Sequence, residues 1–210
     1  MVNIAPRHVL MPSPQLMVAF TGLEGDVQSL SQALTNQVAA KLGRGLGFAQ
    51  EIRQHRNVIS PRSMASLTSL VLYSRRQSPY YVEPLVVGLT PCTDTDGDNE
   101  QTVAEDTTIN TPKLSERRNP HYRPYLCSMD MIGAKSTSHA FVCAGAASDS
   151  IFGTAEALWK PNLSPEELVR VCAKAFLGAL ERDCLSGYGA VLYLITREGV
   201  TSFDLASRND

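Results

Sequence analysis

The 210-residue chain is short of several features that would assign it a role at once. No apolar run approaches the roughly 18–20 residues that a helix needs to cross a bilayer, so no membrane partner is expected. The opening "MVNIAPRHVLMPSPQ" lacks a long apolar stretch and does not read as a signal peptide. There is no excess of base: 19 Lys and Arg face 21 Asp and Glu, for a net charge of −2. That balance argues against nucleic acid as the main partner, because neutralising phosphates needs clustered cations. The five cysteines, Cys92, Cys127, Cys143, Cys172 and Cys184, are odd in number and form no C-x-x-C pair. Neither a disulfide framework nor a zinc cluster is favoured. A reducing compartment fits, so the expected location is cytoplasm and nucleus. Cys143 and Cys172 lie in apolar stretches and read as small core residues. The sequence has no G-x-S-x-G, no phosphate loop, no H-E-x-x-H and no G-x-G-x-x-G, so neither a cofactor nor a metal is expected. The four histidines, His8, His55, His121 and His139, are far apart along the chain.

What is present is apolar material, 43% of the chain, enough for one core. The charge is uneven. Residues 93–107, "TDTDGDNEQTVAEDT", carry six acids and no base, which leaves 19 basic against 15 acidic residues elsewhere. Within this run "DTDGDNE" resembles a calcium loop. With Gly97 as the loop glycine, however, Cys92 and Val103 stand at two ligand positions, and neither can serve. Residues 93–122 read instead as a mobile, solvated acidic insertion inside a single domain that spans 1–210.

Around that insertion the pattern is regular. "QLMVAF" is a buried strand. Val27, Leu30, Leu34, Val38 and Leu42 recur at helical spacing, with Asp26 placed to cap the helix start and "GRG" to end it. Ser60 and Pro61 open a second helix whose inner stripe is Met64, Leu67 and Val71. "YVEPLVVGL" is a strand in which Pro84 predicts an edge or a bulge. "PYLCSMDMIG" and "SHAFVCAG" read as further strands, and "ASDSIFGTAEALW" as a helix. Ser164, Pro165 and two glutamates open the next helix, with Leu168, Val171, Cys172, Ala175 and Ala179 on one face. "GAVLYLIT" and "VTSFDL" form a hairpin around "REG". Paired helices and hairpin strands predict an α+β fold with antiparallel sheets covered by helices.

One stretch suggests chemistry. In "RDCLSG", Asp183 ends a helix and Ser186 sits in the turn before a strand. Such a pair can orient a nucleophile supplied from elsewhere. Alternatively Asp183 and Ser186 bond turn amides, and Gly187 provides a positive φ. The local sequence leaves both readings open.

Five runs together resemble the beta subunits of the 20S proteasome, and among them the non-catalytic beta-3 type. They are "FTGLEGDVQSL", "SPYYVEPLVVGL", "PYLCSMDMIG", "AEALWKPNLSPEEL" and "RDCLSGYGAVLYLI". They occur in family order and cover nearly all of residues 15–210 outside 93–122. The resemblance implies an Ntn-hydrolase fold, an αββα sandwich of antiparallel sheets. Active members use an N-terminal threonine, helped by an aspartate, a lysine and later serines. Asp183, Ser186 and Gly187 match the family's later D-x-x-S-G, and Gly22 its substrate-loop glycine. Counted without gaps, the lysine position falls on His8, a serine position falls near Ala146, and the family's first residue falls about two dozen places before Met1. The chain is accordingly expected to lack the first N-terminal hairpin, through a truncated gene model in preference to a divergent start. The implied role is a subunit that is not an enzyme by itself. It would pack with other proteasome beta and alpha subunits around a chamber that holds polypeptide substrates during ubiquitin-dependent proteolysis. The alternative is an active N-terminal-threonine hydrolase whose start is missing. Asp130, in "CSMDMIG", matches an acidic position at the border with the adjacent subunit, which in beta-3 types has trypsin-like preference. It is expected to wall that neighbour's substrate pocket, or else to be an ordinary surface carboxylate.

Overall fold

The computed structural model describes residues 8–43, 59–91, 122–184 and 189–206. Its first sheet has five antiparallel strands in the order β1-β2-β3-β4-β5: β1 Val9–Ser13, β2 Leu16–Gly22, β3 Val82–Pro91, β4 Tyr122–Met129 and β5 Lys135–Ser138. The second sheet is the hairpin of β6 Ala190–Ile195 and β7 Val200–Leu205. The described residues include four helices: α1 Glu24–Gly43, α2 Pro61–Ser74, α3 Ser148–Leu158 and α4 Pro165–Leu180.

The main core lies between the first sheet and α1 with α2. Alternate residues of β2 (Leu16, Val18, Phe20) meet Val27, Leu30, Leu34 and Val38 of α1 and Met64, Leu67 and Leu72 of α2. Period two in the strand and 3.6 in the helices bring these apolar rows face to face. Thr68 is fully buried there, and its hydroxyl donates to the Met64 carbonyl at 2.9 Å, which satisfies it inside the helix. On the far side α3 and α4 pack together, and the Thr154 hydroxyl donates to the Ala175 carbonyl at 2.9 Å. Gln15 Nε2 donates to the Arg197 carbonyl at 3.0 Å, tying the β1–β2 turn to the β6–β7 turn. Two antiparallel sheets and two helix pairs make the expected α+β, Ntn-hydrolase-like sandwich.

Both capped helix starts behave as the sequence predicts. Ser60 Oγ accepts from Ser63 N, and Ser164 with Glu167 forms a reciprocal capping box. The box also holds the Glu167 carboxyl below the usual carboxylate range, through the bonds from Ser164.

Several expectations are corrected. Val9–Ser13 forms a strand that the sequence pattern did not signal; it is short, includes Pro12, and its register breaks between Leu10 and Ser13. Strand β3 is central rather than an edge. Pro84 is tolerated because Phe20, opposite it, spends its amide on the His8 carbonyl of the β1 side. The missing N–H of Pro84 therefore faces away from β2, where the β3–β4 ladder begins only at Leu85. "SHAFVCAG" is not a strand. The Ser138 hydroxyl accepts from Ala140 N and turns the chain, and Phe141 then packs edge-on against Phe152 at 5.0 Å. Asp26 lies in the first turn of α1, but its Oδ2 accepts from the N–H of Tyr81, the residue just before β3, rather than serving its own helix. Cys172 is exposed and Cys143 half-buried, whereas Cys127 is buried. The acidic insertion lies outside the described residues.

Candidate functional site

The ends of β2 and β3 and the loop before α3 enclose a cleft of about 610 Å³. Its walls include Gly22, Tyr81, Glu83, Met131, Gly145 and Ala146. Gly22 has φ +128, and a Cβ there would collide with the Tyr81 carbonyl. Glycine is thus required on both conformational and steric grounds. The first turn of α1 grips the Tyr81 backbone from both sides: Leu23 N donates to its carbonyl at 2.9 Å, and its N–H donates to Asp26 Oδ2 at 2.9 Å. The Tyr81 side chain stays 66% exposed at the rim. Across the cleft, Gly145 N donates to Glu83 Oε2 at 3.3 Å, which fixes the loop carrying Ala146 against β3.

His8 sits at the start of β1. Its Nε2 lies 3.0 Å from Glu24 Oε2 at the start of α1, and both side chains are substantially exposed. Asp183 lies half-buried in the turn after α4, where its N–H donates to the Leu180 carbonyl at 3.1 Å. Asp130 closes the β4–β5 connection. Its Oδ1 accepts from Ile132 N at 3.0 Å and from Ala134 N at 2.7 Å. The same turn is pinned to α2, because Ser69 Oγ donates to the Gly133 carbonyl at 2.6 Å. Gly133 has φ +88, and a Cβ there would lie 2.6 Å from the Ser69 carbonyl oxygen.

The family model described as "Proteasome subunit" matches residues 119–195. A proteasome subunit beta type-3 from Picea mariana is 33% identical over 196 residues, covering 93% of this chain and 77% of that protein. The chain belongs to the proteasome subunit family. A beta type-3 subunit from Trypanosoma brucei brucei is 31% identical over 209 residues, spanning 100% of this chain and 82% of the relative. The Drosophila melanogaster beta type-3 subunit is 29% identical over 204 residues, spanning 97% and 81%.

Within this proteasome-family fold, Gly22 and Ala146 meet in one cleft, and Met131 brings the Asp130 turn to its edge. His8 and Asp183 are not among the cleft's walls. Ser186 and Gly187 lie outside the described residues. Sequence reasoning missed Glu83 and Tyr81 as cleft residues. The one available signal was alternation in "YVEPL", which puts Glu83 on the face opposite Val82 and Pro84.

Proposed function

We propose that this proteasome beta subunit is a non-catalytic, structural member of the core particle's beta ring. In this reading it packs on other beta subunits and on an alpha ring, helps shape the chamber that receives polypeptides, and spans 1–210 as one domain. One observation carries the reading. The position matched to the family's lysine holds His8, already paired with Glu24 at 3.0 Å, and the serine position falls near Ala146, a cleft-wall residue that has no hydroxyl. A threonine supplied from any source would lack both groups that tune and position it. Exposed apolar side chains support assembly: Leu70 and Tyr81 are each 66% exposed, Tyr73 54% and Phe152 50%. Cysteines without a disulfide partner at Cys127, Cys143, Cys172 and Cys184 suit the cytoplasm and nucleus. Asp130 walls the adjacent subunit's pocket and favours basic substrate side chains there.

Retention of Asp183, Ser186 and Gly187 in the family pattern favours a second reading, an active threonine hydrolase. The two separate cleanly. Native particles are treated with a threonine-directed covalent inhibitor and each subunit is weighed by mass spectrometry. The expected outcome is an unmodified chain beside labelled neighbours. An adduct on this chain establishes the enzyme instead.

A further inference from the structure

The chain contains four Ser-Pro dipeptides in its described residues, and the fold treats them differently: Ser13, the last residue of β1, keeps its hydroxyl buried. Ser60 and Ser164 are helix caps: Ser60 Oγ accepts from Ser63 N at 3.1 Å, and Ser164 Oγ donates to Glu167 Oε2 at 2.8 Å. Ser78 lies in the exposed turn between α2 and β3, and among the described residues nothing bonds its hydroxyl. It also follows two arginines, in "RRQSP". Arg75 and Arg76 are both exposed, and each rests on an aromatic ring, Arg75 Cζ 4.8 Å from the Tyr80 centroid and Arg76 Cζ 4.9 Å from that of Tyr73.

From this juxtaposition we infer that Ser78 is a phosphorylation site for a serine kinase that reads arginines two and three places ahead of the target. Such a kinase needs carboxylates in its peptide cleft to pair with both guanidinium groups, and those groups here stand free of any acid partner among the described residues. It also needs the segment in extended form. The turn is held by three backbone bonds, from Arg75 N to the Leu72 carbonyl at 3.0 Å, from Arg76 N to the Tyr73 carbonyl at 3.2 Å and from Ser78 N to the Arg75 carbonyl at 2.9 Å, all at the C-terminal end of α2, where local opening costs least. The γ-phosphoryl group of ATP passes to Ser78 Oγ. The bond to the departing ADP breaks as the new O–P bond forms, and the hydroxyl proton goes to the kinase's base. The product carries close to two negative charges beside two positive ones. Charge-assisted bonds to phosphate are stronger than stacking at an exposed ring, so Arg75 leaves Tyr80 for the phosphate. Modification thereby neutralises a cationic corner and strips the cover from Tyr80, one of the core's side chains.

The test uses the full chain, purified natively with whatever it is bound to, incubated with ATP and an arginine-directed serine kinase and read by site-resolved mass spectrometry. Ser78 should take phosphate, while Ser60 and Ser164 stay unmodified. Ser78→Ala should remove the label, and Ser164→Ala should leave it unchanged. Replacing Arg75 and Arg76 together by Gln should cut the rate by about tenfold or more, as expected when two charge-assisted pairs are lost. Phosphate that appears on Ser78 only after denaturation overturns the proposal, because the fold then withholds the site. A rate indifferent to both arginines overturns it as well.

Discussion

Asp130 holds its own turn and is proposed to wall a neighbour's pocket, and two substitutions tell the two roles apart. Its Oδ1 accepts two turn amides, from Ile132 and Ala134, at 3.0 and 2.7 Å. Asp130→Ala removes both acceptors. Bonds to a charged acceptor are worth about 1.5–3 kcal/mol when buried, but this site is exposed and water can replace the carboxylate, so about 1–2 kcal/mol for the pair is expected. Asp130→Asn keeps a carbonyl oxygen in the same place and should cost about 0.5 kcal/mol or less. Hydrogen exchange at residues 131–135 in assembled particles reads this directly, since 1.4 kcal/mol corresponds to about tenfold faster exchange. The charge is tested separately, as kcat/KM on three fluorogenic peptides, one per activity. If Asp130 walls a neighbour's pocket, Asn lowers cleavage after Lys or Arg by a few-fold, on the order of 1 kcal/mol, and leaves the other two activities level. Equal exchange in the Ala and Asn variants would refute the turn argument. Unchanged cleavage after basic residues in Asp130→Asn would reduce the side chain to a turn-holder.

Three further outcomes follow from the packing. Leu30 is fully buried against β2 and α2, so Leu30→Ala should cost about 3 kcal/mol, seen as a lower denaturation midpoint in the purified chain. Ser60→Ala removes the cap of α2 and should cost about 1 kcal/mol, restored in part by Asp at the same position. Burial raises the Cys127 thiol above its ordinary value of 9.0, so the native state keeps a proton that the unfolded chain gives up. Stability should therefore hold below about pH 9 and decline as pH rises beyond it, with a shallower decline in Cys127→Ala; parallel curves for the two proteins would contradict this.

Legibility followed the strength of the local signal. The α4 start was readable because Ser164, Pro165 and Glu167 act within one turn, and the structure closes that capping box. The α1 stripe was readable because four apolar residues repeat at one spacing. Pro84 misled because its effect depends on which neighbour its missing N–H faces, a property of the assembled sheet. Asp26 misled for a similar reason, since its partner, Tyr81, is far along the chain. Cys172 shared the apolar face of α4, yet only Ala175 and Ala179 of that helix are buried. In the cleft, Gly22 was recognisable by resemblance, but Glu83 and Tyr81 join it only through the β2–β3 register.

The last described pair of the β3–β4 register sets Pro91 opposite Tyr122. Directly opposed residues of an antiparallel pair have Cα atoms about 4.5–5.5 Å apart, the span that an ordinary hairpin turn bridges. The two strands thus meet in a closed joint whatever chain is spliced between them, and length added there costs only logarithmically. For the protein engineer the β3–β4 junction is a port. An affinity tag or a small reporter domain with adjacent termini could be installed at it, with the sheet, the α1–α2 core and the cleft at Gly22 left as they are.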